Sequence, residues 1–127
     1  MVQGSFIQNV PLIPVTVAFN HAVQAPFFIL DTGFTGDLQV TRKIAQELGL
    51  KVSGVTQSRI ANGQIIAVPT AIAVAAMAGV AKIVQVLISD SSPLAGISLL
   101  TKFGYTAVVL RNDCANVSAA SYPIFTT

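Results

Sequence analysis

The sequence predicts an all-β domain that carries one or two short helices, and three observations lead to that class. Ile66, Val68, Thr70, Ile72 and Val74 alternate with Ala67, Pro69, Ala71, Ala73 and Ala75. Large β-branched side chains at every second position have the period of a strand, not of a helix. The apolar run Phe27-Phe28-Ile29-Leu30 stops abruptly in Asp31-Thr32-Gly33-Phe34-Thr35-Gly36, the pattern of a buried strand running into a turn. Asn62-Gly63 stands between strand-forming residues, which is the strongest short-range hairpin signal. With 127 residues the chain is long enough for one core and too short for two, so residues 1–127 are expected to form a single domain.

Residues 10–19 alternate as a strand, with Pro11 and Pro14 suiting an edge position. Asn20-His21-Ala22 reads as a turn, which makes His21 a solvated turn residue. The run 27–30 then carries Asp31 into a turn where Gly33 and Gly36 permit positive φ or close backbone approach. A carboxylate at the mouth of a buried strand is costly unless donors or a partner compensate it, so Asp31 is expected to have a use. Leu38-Gln39-Val40 continues as a short strand. Thr41 is placed to cap a helix through Ile44, Ala45 and Leu48, with Gly49 ending it.

Residues 57–65 form the Asn62-Gly63 hairpin, and residues 66–75 a strand. A turn around Ala78-Gly79 leads to a further strand over 83–88. The segment Ser89-Asp90-Ser91-Ser92-Pro93 holds the other candidate carboxylate. It lacks a glycine and carries a proline, so it is expected to be a loop bonded to its own backbone. Asp37 and Asp113 read as turn or surface residues, with Asp37 near enough to Asp31 to touch a ligand. Leu94-Ala95-Gly96 marks a close backbone approach before a short amphipathic helix that Gly104 stops. Residues 105–110 complete the core. The tail 112–127 shows no pattern, and its Tyr122-Pro123-Ile124-Phe125 suits an interface strand or a tied-down terminus.

Hydrophobic residues make up 53% of the chain and charged ones only 9%, against about 25% charged in ordinary globular chains. Such a composition suits membrane association or a surface covered by a second copy. The uncharged segment 65–81 contains Pro69 and has strand rather than helix periodicity, so association with a membrane is the lesser expectation. The net charge of +2 comes from scattered basic residues, which argues against a nucleic-acid partner. One cysteine (Cys114) and one histidine (His21) make a metal centre improbable, and nothing in the chain calls for a cofactor. The amino terminus lacks the basic and apolar regions of a secretory signal, so a cytoplasmic location is the expectation.

The string Leu30-Asp31-Thr32-Gly33-Phe34-Thr35-Gly36 resembles the active-site motif of the small, single-lobed, retropepsin-like aspartic proteases of prokaryotes. The segment Leu94-Ala95-Gly96-Ile97-Ser98-Leu99-Leu100 is similar to the turn and helix that close that fold. Ala61-Asn62-Gly63-Gln64 falls where the family has its flap. The resemblance implies a closed, mostly antiparallel β-barrel of one lobe, working as a homodimer that cleaves a peptide or protein substrate. Asp31, Thr32 and Gly33 would be the catalytic motif. Phe34, Asp37, Ala61, Asn62 and Gly63 would meet the substrate, and Gly96 would form the structural turn beneath the catalytic loop.

Amide hydrolysis by carboxylates takes two of them, one as base on water and one as acid, sharing a proton. The chain offers a single suitable acid, so the second would come from a symmetry-related copy, with Asp31 of each subunit on a twofold axis. Phe34 departs from the small residue usual in viral members, and its ring is expected to narrow or reshape the cleft. Two alternatives stand beside the enzyme. One is a catalytically inactive retropepsin-like dimer that binds peptides or a protein; the other is a structural β-domain in which Asp31 caps a turn.

Overall fold

The computed structural model describes residues 2–59, 62–109 and 115–119. In chain order its elements are β1 (Val2–Gln3), β2 (Ser5–Ile7), β3 (Val10–Pro14), β4 (Thr16–Phe19), β5 (Ala22–Gln24), β6 (Phe27–Leu30) and β7 (Leu38–Val40). There follow α1 (Arg42–Leu48), β8 (Val52–Arg59), β9 (Ile65–Met77), β10 (Val80–Ile88), β11 (Leu94–Ala95), α2 (Ile97–Phe103), β12 (Tyr105–Val109) and β13 (Ala115–Ala119). Most of these strands join one curled sheet, a half-barrel in the order β2-β3-β6-β11-β7-β10-β9-β4-β5, with β8 paired to β9. The remaining three, β1, β13 and β12, form a small second sheet. Pairing is antiparallel except at β6–β11 and β7–β10.

Short connections set the registers. Ile7 pairs with Val10 across Gln8 and Asn9, and Met77 with Val80 across Ala78 and Gly79; all four turn residues have positive φ. Such two-residue turns match the right-handed twist of the strands they join. The predicted strand over 10–19 is two strands: β3 pairs with β6, while β4 pairs with β9 and β5, the chain changing neighbours at Val15. The expectation of a patternless tail is also corrected. Residues 115–119 form β13, paired with β1 and β12, and Ala115-Asn116-Val117-Ser118-Ala119 alternates apolar and polar residues, a strand period too short to stand out in the tail as a whole. Asp113, Cys114 and the segment 122–125 lie outside the described residues.

The core lies inside the half-barrel. Ile13, Val17, Phe28, Leu38, Leu99 and Leu100 are completely buried there, each contributing roughly 1.5–3 kcal/mol by leaving water. The strand β9 uses both of its faces. Near its carboxyl end Ala71, Ala73, Ala75 and Met77 face the core, whereas Ile72 and Val74 are exposed. Near its amino end the opposite face is covered, and Val68 and Thr70 are buried. The predicted alternation is real, with the small side chains inward where the barrel is tight. Thr41 Oγ1 accepts the Ile44 N–H at 3.2 Å to start α1, and left-handed Gly49 and Gly104 end the two helices. No helix among the described residues is long and apolar enough to cross a membrane.

Candidate active site

Asp31 follows directly on β6 and is held by its own turn. The Gly33 N–H donates to Asp31 Oδ1 at 2.9 Å, and the Phe34 N–H donates to the Asp31 carbonyl at 3.1 Å. A side chain at Gly33 would begin 3.2 Å from that Oδ1, so glycine leaves the carboxylate room. The two-residue strand β11 lies between the strands on either side of the turn, parallel to β6 and antiparallel to β7. It fixes the loop from beneath. The Asp31 N–H donates to the Ala95 carbonyl (3.0 Å), Gly96 N–H to the Asp37 carbonyl (2.9 Å) and Ile97 N–H to the Phe34 carbonyl (2.9 Å).

Gly96 is required by this close approach. A Cβ there would stand 2.2 Å from the Gly36 carbonyl oxygen and 2.6 Å from that of Phe34, distances no carbon tolerates. The Phe34 ring fills the space that the absent side chains leave, 2.7 Å from ideal Cβ positions at both Gly36 and Gly96. The large ring is therefore packed back onto the loop, with part of it still lining the cleft. Asp31 is half-buried, while Thr32 and Gly33 are exposed at the crest of the loop.

A cleft of about 870 Å3 separates this loop from the β8–β9 hairpin. The loop contributes Asp31, Gly33, Phe34 and Asp37, and the hairpin contributes Gln57, Ser58, Arg59 and Ile66. Asn62 and Gly63 stand at the exposed tip and do not line it; Ala61 lies outside the described residues. At the tip Asn62 Oδ1 accepts the Gln64 N–H at 2.9 Å, Gly63 takes φ +84°, and Arg59 Nη1 donates to the Gly63 carbonyl at 3.3 Å. The hairpin itself was legible in Asn-Gly. Its cleft-facing residues were not.

Asp37 corrects the expectation of a turn or surface residue: it is 3% exposed. Its Oδ2 accepts the Gln85 backbone N–H from β10 at 2.9 Å and the Lys102 ammonium from α2 at 2.6 Å. Burial pushes its carboxyl up, but Lys102, the Gln85 amide and Ser98 together outweigh this and hold it below the ordinary carboxylate value. The Ser98 hydroxyl does so without a well-formed hydrogen bond to Oδ1, which has no partner among the described residues. Asp90, the other carboxylate weighed from sequence, is exposed and pairs with Arg42 at 3.4 Å, apart from the cleft.

Sequence reasoning missed Gln39, Gln85, Ser91, Ser98 and Lys102, all of which line the cleft. Gln39 Nε2 donates to Ser91 Oγ at 2.8 Å and to the Ser92 carbonyl at 3.2 Å, tying β7 to the loop before β11. A faint signal existed. Gln39 alternates with core-facing Leu38 and Val40, and Gln85 with Val84 and Val86, so both belong to the opposite face of their strands. That β7 lies parallel to β10, which brings those faces together, is not written in either segment.

Among solved structures, the chain is similar to a retropepsin-like aspartic protease from Rickettsia conorii, with a TM-score of 0.55 and 18% sequence identity. The match covers 93% of this chain and 91% of that one. No protein-family model matches the sequence. No curated protein matches it either.

Proposed function

For a chain with the retropepsin-like fold, we propose the function of an aspartic endopeptidase, active as a homodimer in which each subunit supplies one Asp31. The observation that carries this reading is the placement of Asp31. It is a half-buried carboxylate on a loop secured by three backbone hydrogen bonds from 95–97, at the edge of a cleft that a β-hairpin faces. A carboxylate used only to cap a turn needs neither the cleft nor that degree of fixing.

In the proposed dimer the exposed crest at Thr32 and Gly33 meets its twofold mate, which brings the two Asp31 carboxyls within proton-sharing distance. The ionised one takes a proton from water as the water attacks the peptide carbonyl. The protonated one hydrogen-bonds to the carbonyl oxygen and later protonates the departing nitrogen. Thr32 holds the two loops in register, and Gly33 keeps space beside Oδ1 for water and substrate. The hairpin tip, Asn62 and Gly63, closes over the peptide as a flap.

The test is digestion of a peptide library at mildly acidic pH by the wild type and by Asp31→Asn, with sedimentation run alongside. Cleavage by a dimer, abolished in the variant, is the expected result. A protein that stays monomeric, or cleavage that survives Asp31→Asn, overturns the proposal. A dimer that binds peptides without cutting them would instead be a binding module.

A further inference from the structure

The walls of the cleft are unusually polar. Ligand sites are ordinarily lined mostly by apolar side chains with a few polar groups. Here Gln39, Gln85, Ser91, Ser98, Arg59 and Lys102 all face the cleft, and they come from five different segments of the chain. Several of them are already positioned by the protein. Gln39 is held on Ser91, and Lys102 is anchored to the buried Asp37 at 2.6 Å.

Of the two cations at the cleft, Lys102 is the more closely held. An ammonium group has three N–H donors and no acceptor. One of them points at Asp37 Oδ2, and the Lys102 side chain remains 42% exposed at the cleft wall. The anchoring carboxylate is itself fixed by the Gln85 backbone N–H, which restricts where the ammonium can go. A substrate side chain entering here meets pre-placed donors. An apolar side chain would strip water from the remaining N–H groups and return nothing, whereas an acceptor oxygen replaces that water. Sites built to hydrogen-bond reject analogues lacking the partner far more strongly than apolar pockets reject a misfit. Arg59, on the hairpin that faces the loop across the cleft, adds a second cation.

Resting on the peptidase reading above, we infer that Lys102 is a specificity-determining residue. It selects peptides with a carboxylate or amide side chain, glutamate best, close to the scissile bond, and it disfavours leucine or phenylalanine at the same place.

The experiment uses matched fluorogenic peptides in which one position at a time beside the cleavage site is Glu or Leu. Cleavage is followed with the wild type, and binding to the Asp31→Asn protein by fluorescence anisotropy. The expected result is a preference for Glu over Leu of about tenfold or more at one position, the size of one charge-assisted hydrogen bond. Lys102→Met should bring the Glu peptide down to the Leu level, and Lys102→Arg should keep most of the preference. Because Lys102→Met strands a buried carboxylate, the pair Asp37→Asn/Lys102→Met, which removes both charges, serves as a folded control. Equal handling of Glu and Leu, or a Glu preference that survives loss of Lys102, overturns the inference. If the wild type cuts Leu peptides best, the peptidase stands and this selectivity falls. If nothing is cut but Asp31→Asn binds Glu peptides selectively, the selectivity stands and the peptidase falls. Absence of binding to every peptide overturns both.

Discussion

At the scale of single residues, Asp37 and Lys102 show how a charge comes to sit inside an apolar domain. The carboxylate is 3% exposed and is tolerated because donors from β10 and α2 converge on one of its oxygens. Removing one partner is expected to cost more than the pair is worth. Lys102→Met should lower stability at neutral pH by about 2–3 kcal/mol, read from urea unfolding, since the lysine is partly solvated and the pair is not fully buried. The pH dependence has a definite sign. The Asp37 carboxyl is held below its ordinary value of 3.8, so its contribution is complete above 3.8 and is lost as pH falls through the lower folded-state value. The gap between wild type and Lys102→Met should accordingly narrow in strongly acidic urea titrations, while the pair stays intact at mildly acidic pH. Gly96 makes a second residue-scale prediction. With a Cβ 2.2 Å from a backbone oxygen, Gly96→Ala must displace the loop, and a loss of roughly 3 kcal/mol with little remaining activity is expected from thermal melts and peptide assays.

At the scale of elements, what the sequence told and what it withheld divide along a physical line. Elements written in a few adjacent residues were legible: the Thr41 cap, the glycine stops of both helices, the Asn62-Gly63 hairpin and the Ala78-Gly79 turn. Thr41→Ala should cost about 1 kcal/mol in an unfolding titration, because it removes the one side-chain cap of α1. Elements defined by partners distant in sequence were not legible. The tail strand β13 has only five residues of alternation, and its pairing with the amino-terminal β1 is written in neither segment. Asp37 looked like a turn residue because its burial comes from α2 and β10, far along the chain. The division of 10–19 into β3 and β4 likewise reflects which neighbours each half finds. At the site, Asp31 and Gly96 could be read from local motifs, whereas the polar wall depended on the register between β7 and β10.

For the whole molecule, the proposed pairing of one Asp31 from each subunit would make activity a property of concentration. If the Asp31 pair forms only between subunits, specific activity should fall on dilution. The initial rate should rise with the square of protein concentration below the dimer dissociation constant and linearly above it. Rate measurements over several decades of dilution check this directly. The placement of β11 between β6 and β7 has a consequence of another kind. The loop that carries Asp31 is bolted down only when residues 94–97 arrive, long after residues 27–40 have been made. Pairing across such a separation closes a large loop and comes late in folding. A chain ending before Gly96 would hold Asp31 on an unbraced turn, so in the proposed peptidase the acid is set in place only once residues 94–97 have joined the sheet.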